Sequence, residues 1–83
     1  MARKSLPWEL PSGKTYGPVS ARPAWVHEGD GVSAIQRGLG IEESGTYDEA
    51  TRRAVVAYQR EKNLSVTGTV DRRLFARLTR GQG

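Results

Sequence analysis

Gly-Thr-apolar-Asp is written twice in this chain, as Gly45-Thr46-Tyr47-Asp48 and as Gly68-Thr69-Val70-Asp71, 23 positions apart (71 − 48). Each copy stands just before a stretch whose apolar residues recur at helical spacing. Glycine allows a tight turn, the next two residues extend the chain and direct Tyr47 or Val70 inward, and the aspartate accepts hydrogen bonds from the first free helical amides. A turn-and-cap device used twice commits the second part of the chain to short helices joined by defined turns.

Three helices follow from the spacing. Val32, Ile35 and Leu39 fall on one stripe, with Asp30 expected to cap the helix and Gly40 to end it in a left-handed turn. Gly38 inside that pattern costs about 1 kcal/mol relative to alanine, which a close helix contact would explain. The second helix is expected from Asp48 to about Lys62, with 47, 51, 54, 55 and 58 on one side, Glu49 in the first turn, Arg60 and Lys62 in the last, and Asn63 and Leu64 closing it. The third is capped by Asp71 and packs through Leu74, Phe75 and Leu78 before "TRGQG" ends it.

The start of the chain has a different composition. All four prolines, Pro7, Pro11, Pro18 and Pro23, lie in the first 23 residues, where they remove backbone donors and force extended geometry on their neighbours. Residues 1–29 therefore read as an extended Pro/Gly-rich arm, and residues 30–83 as the folded domain. The arm also holds Trp8, Tyr16 and Trp25. Disordered tails are poor in aromatics, so these rings are expected to be docking anchors, and a neighbouring subunit is the favoured surface over the chain's own small domain.

Several chemistries are excluded or disfavoured. The chain has no cysteine, hence no disulfide, thiol nucleophile or cysteine-ligated zinc. Its single histidine, His27, sits beside Glu28 and Asp30 on a Gly-rich segment, a poor metal site; no metal or cofactor is expected. The adjacent pairs Glu42/Glu43 and Asp48/Glu49 offer carboxylates for glycan cleavage, but capping and the helix dipole account for the second pair and a polar loop for the first. No catalytic role is expected. No sustained apolar run of about 18 residues marks a membrane span. "MARKSLPWELPSG" lacks the apolar stretch of a secretory signal. The formal charge of +4 permits acidic partners, yet the basic residues are dispersed, as on a solvated face rather than a nucleic-acid site. Tyr47, Tyr58 and Phe75 read as core residues, the two tyrosines with wet hydroxyls; a sugar-stacking face that includes Gln59 is the alternative. Gln36 and Gln59 occupy equivalent places on two helices and are expected to bond backbone across the bundle.

"VSAIQRGLG", "SGTYDEATRRAVVAYQREKNL" and "VTGTVDRRLFARL" together resemble the peptidoglycan-binding domain type 1 family over about residues 30 to 79. The resemblance rests on Val32, Ile35, Gln36 and Leu39; Gly45, Tyr47, Asp48 and Thr51; Ala54, Val55, Tyr58 and Gln59; and Leu64, Gly68, Val70 and Asp71. It implies an all-α, three-helix module of the kind carried by cell-wall hydrolases and phage lysins. Two departures stand out: Leu74 occupies a position where the family usually has threonine, and the linker after the first helix is short. "LPSGKTYGPVS" resembles leaders that precede such domains in small proteins of actinobacterial phages. The expected role is a non-enzymatic virion accessory protein, a capsid decoration or minor capsid protein more than a tail component. Its arm would dock on the major capsid protein or on copies of itself, and its module could touch host peptidoglycan. The alternative is a free-standing peptidoglycan-targeting module acting with a separate hydrolase.

Overall fold

The computed structural model describes residues 4–18 and 25–83. Three helices, α1 (Asp30–Leu39), α2 (Glu49–Glu61) and α3 (Arg72–Leu78), follow two very short parallel strands, β1 (Thr15–Tyr16) and β2 (Trp25–Val26), paired Thr15 to Trp25 and Tyr16 to Val26. Helix α1 packs on both α2 and α3. Among the described residues, no helix is long and apolar enough to cross a membrane.

The core is the one the helical stripes predict. Val32, Ile35, Val55, Val70, Leu74, Phe75 and Leu78 are buried, with Tyr47 and Tyr16 among them. On α2 the buried positions are Thr51, Val55 and Gln59, spaced four apart, whereas Ala50 and Ala57 face solvent. Gly38 has the expected explanation: a Cβ there would collide with the Leu78 carbonyl, so its absence lets α1 and α3 approach backbone to backbone.

Two of the three expected caps are present. Asp48 Oδ1 accepts from the Thr51 amide at 2.9 Å and Asp71 Oδ1 from the Leu74 amide at 2.8 Å. Asp30 does not cap α1. It is the first helical residue, the N-cap is Gly29 in an extended, positive-φ conformation (φ 120°), and no side chain bonds the free amides there. The reason lies one residue upstream. The Gly29 amide is bonded to the Gly45 carbonyl at 2.9 Å, and this contact fixes where the helix begins.

The described part of the first 29 residues, 4–18 and 25–29, does not form a free arm; Pro23 lies outside the described residues. Tyr16 exchanges two backbone hydrogen bonds with Val70 (3.1 and 2.8 Å), and Tyr47 donates to the His27 carbonyl at 2.7 Å. Residues on either side of the 19–24 segment thus pair with the two equivalent turns. Trp8, Tyr16 and Phe75 form a three-ring cluster with centroids 5.5–5.6 Å apart, Tyr16 stacked on Phe75 and Trp8 edge-on to both. A small bundle of short helices cannot close its own core, and these rings complete it. Further back, the Lys4 carbonyl accepts from Gly81 (2.7 Å) and Ser5 Oγ donates to the Ala76 carbonyl (2.6 Å), tying the segment to the C-terminal turn.

Candidate functional site

The two turns are held by the same device. Gln36, 1% exposed, donates through Nε2 to Ser44 Oγ (3.0 Å), the Thr46 carbonyl (2.9 Å) and Thr51 Oγ1 (2.9 Å), while its Oε1 accepts from the Gly45 amide (3.0 Å). Gln59, 4% exposed, donates to Thr67 Oγ1 (3.0 Å) and the Thr69 carbonyl (3.4 Å) and accepts from the Thr67 and Gly68 amides (both 3.0 Å). Around each glutamine the backbone repeats as well. Gly40 and Asn63, both at positive φ, end α1 and α2, and the amides of Ile41 and Leu64 return to the carbonyls of Gln36 and Gln59 (3.0 and 2.8 Å). Gly45 and Gly68 turn the chain at nearly the same φ, 79° and 75°, which an L side chain rarely adopts. Residues 32–51 and 55–74 are two copies of one helix-and-turn unit.

The copies differ in how the clamp meets the cap. In the first, Thr51 Oγ1 accepts from Gln36 and donates to Asp48 Oδ1 at 2.7 Å, so a hydroxyl joins the clamp to the cap. These donated bonds, the Thr51 hydroxyl first and its amide second, hold the Asp48 carboxyl below its usual range. In the second copy the equivalent residue is Leu74, which has no hydroxyl, and the Gln59 amide reaches only to a 3.4 Å bond on that side. The positions equivalent to Ala50 and Ala54 are Arg73 and Arg77.

A cleft of about 310 Å³ lies at this second copy, between the 64–67 turn and α3. Leu64 and Leu74 line it with apolar surface, Gln59, Ser65 and Thr67 with polar atoms, and Asp71, Arg73 and Arg77 with charge. Arg73 and Arg77 are exposed and make no ion pair among the described residues. Arg37 pairs with Glu43 at 2.7 Å, and Arg52 and Arg53 with Glu49 at 2.6 and 3.3 Å, whereas Arg60, Arg72 and Arg80, which do not line the cleft, also make no ion pair among the described residues. A second recess of about 210 Å³ lies over Tyr16 and Phe75, with Glu9 and Asp30 among its lining residues. Burial, then the nearby Glu9 charge, pushes the Tyr16 phenol upward, and the Glu9 and Asp30 carboxylates at the recess disfavour anions there.

The side chains of the alternative glycan face, Tyr47, Tyr58 and Gln59, do not form one free surface. Tyr47 is 1% exposed and its hydroxyl donates to the Gly68 carbonyl at 2.7 Å; it is core throughout, without the wet hydroxyl expected of it, and burial pushes its phenol well above the ordinary value. Tyr58 is half-buried at the surface, its ring 5.8 Å from Lys62 Nζ. Gln59 reaches the cleft, but the 67–69 turn occupies both ends of its amide. Trp8 and Tyr16 are packed in their own domain rather than presented to a neighbour, and Trp25 is half-buried beside Gly17. Among the described residues, no group of three or more His, Asp or Glu side chains is placed to hold a metal. Sequence reasoning passed over Arg73 and Arg77. Setting the copies side by side at an offset of 23, Ala50-Thr51 with Ala54 against Arg73-Leu74 with Arg77, is the signal that finds them.

Fold and cleft define a small helical recognition module, built on a duplicated glutamine clamp and completed by its N-terminal segment. A family model whose description reads "Putative peptidoglycan binding domain" matches residues 28–78. The chain belongs to this peptidoglycan-binding domain family, a family of binding rather than catalytic domains. No curated protein and no solved structure matches it.

Proposed function

We propose that this protein is a non-catalytic module that binds bacterial-wall peptidoglycan through the cleft between the 64–67 turn and α3. The family match over residues 28–78 carries the reading. The cleft supports it, because its one carboxylate, Asp71, is occupied in capping α3, and the groups left over suit holding a ligand rather than moving protons. Sedimentation with purified peptidoglycan sacculi tests it: the expected result is saturable retention at low and at physiological salt. Absence of retention at low salt overturns it.

The virion expectation drew on the wall-binding type of fold, the lack of a catalytic constellation and the reading of the N-terminal residues, with Trp8, Tyr16 and Trp25 as its docking device; that device is the part left without support, since Trp8 and Tyr16 close the domain's own core. Among the described residues, Val66 is the one large apolar side chain that is exposed, at 48%, which offers little for a shell protein to bury. A partnership with a separate hydrolase is compatible with wall binding and adds nothing to the test.

A further inference from the structure

Resting on the wall-binding reading, the geometry points to the cleft as a subsite for a carboxylate beside a small aliphatic side chain, that is, for the peptide rather than the sugar of the wall. We infer that Arg73 and Arg77 hold the carboxylate and that Leu64 and Leu74 receive the aliphatic group. Three observations carry this.

The arginines are four apart on α3 and so lie on one face, within reach of a single anion. Both line the cleft and neither has a carboxylate partner among the described residues. A guanidinium fork matches a planar carboxylate in two parallel hydrogen bonds, and a sugar hydroxyl offers no such match.

The apolar surface of the cleft is aliphatic. Leu74 is in the core and Leu64 is partly buried, so together they present methyl groups and no ring. Sugar sites stack pyranose faces on aromatic rings, and the cleft has none in its lining. An alanine-sized side chain suits leucine methyls next to a charged rim. A phosphate has no aliphatic substituent to place there, which favours a peptide over a phosphate polymer.

The third observation is the asymmetry of the repeat. The first copy closes the corresponding corner with the Thr51 hydroxyl and has alanines at 50 and 54, and the second has leucine and two arginines at those places. The clamp and cap are retained in both copies, so packing alone does not require the three changes.

The test is a titration of the full chain followed by backbone amide NMR, with four probes: a soluble disaccharide–tetrapeptide fragment of peptidoglycan, the tetrapeptide alone, a peptide-free chitooligosaccharide, and inorganic phosphate. Both peptide-bearing probes are expected to shift the amides of Thr67 to Leu78, and the two peptide-free probes are not. Arg73→Gln and Arg77→Gln should each weaken fragment binding about tenfold or more, as loss of a charge-assisted bond does, with the melting transition unchanged. Arg72→Gln, a neighbouring exposed arginine outside the cleft, should change it less than about twofold, as a charge that acts only through screened solvent does. Chitooligosaccharide binding as tightly as the fragment, phosphate binding without tetrapeptide binding, or full affinity in both arginine variants would each overturn the subsite. Sacculus retention that persists under any of those results leaves wall binding standing, whereas loss of retention by the unmodified protein removes both.

Discussion

Replacing Gln36 with leucine tests the clamp most directly, because leucine nearly conserves volume and removes only the amide. The substitution strands the Gly45 amide, which sits half-buried with Gln36 Oε1 as its acceptor. It also deletes the two amide protons that Ser44, Thr46 and Thr51 share as acceptors. The consequences differ among these partners. Thr46 is exposed and its carbonyl still accepts from Ser44 Oγ, and Thr51 Oγ1 still donates to Asp48. One stranded donor at about 1–3 kcal/mol and one or two net bonds at about 1 kcal/mol each, less about 1 kcal/mol for the added apolar burial, leave a loss of about 2–4 kcal/mol. A domain of this length has about 4–12 kcal/mol in total, so the melting temperature should fall by roughly 10–25 °C. Urea unfolding followed by the fluorescence of Trp8 and Trp25 measures it. A loss below about 0.5 kcal/mol, the range of an ordinary surface change, would refute the claim that this glutamine organises the turn.

Three further outcomes follow from the same structure. Gly38→Ala should destabilise by about 1–3 kcal/mol by calorimetry despite alanine's better helix propensity, since its methyl meets the Leu78 carbonyl; unchanged or raised stability would place α1 and α3 further apart than they are. Deleting residues 1–18 should leave a chain without a cooperative melt, because Phe75 and Val70 lose Trp8 and Tyr16; a sharp transition by circular dichroism would return the segment to the status of an arm. Asp48 titrates lower folded than unfolded, so its contribution is complete above about pH 4 and is lost as the pH falls through its depressed folded value; Asp48→Asn keeps a capping oxygen without the charge, so it should be less stable than the unmodified protein at pH 7 and lose less on acidification, and parallel acid profiles would contradict the Thr51–Asp48 linkage.

The helices and their interior were legible because periodicity and capping act locally. Ile35, Val55 and Leu78 are as buried as their stripes imply, and Asp48 and Asp71 cap as their position before an apolar run implies. Asp30 shows the limit: its helix starts where a long-range bond from Gly29 to Gly45 sets it, and nothing within a few residues encodes that bond. The fate of Trp8 and Tyr16 was hidden for a similar reason. Proline content fixes extended geometry, but whether an extended segment leaves the domain or lies across it depends on whether the helices leave a gap that rings can fill. Tyr47 is core, as its position implies, but its hydroxyl is not wet as expected, because the Gly68 carbonyl lies within reach, a partner 21 residues away (68 − 47).

The cleft was partly legible, through a comparison internal to the chain. When one unit is used twice, residues shared by both copies are those the unit needs to fold: the clamping glutamine, the turn glycine, the inward apolar residue and the capping aspartate. Residues that differ at a corner where packing permits a good structural solution call for another explanation. Thr51 is such a solution, since its hydroxyl satisfies a buried amide and a cap together, and Leu74 gives it up. In exchange Leu74 contributes apolar burial to the core while leaving the rim open beside two unpaired arginines. Of the two corners, the second carries the two arginines that line the cleft. The first copy serves as the structural reference for the second, and the difference between them is what the proposed subsite rests on.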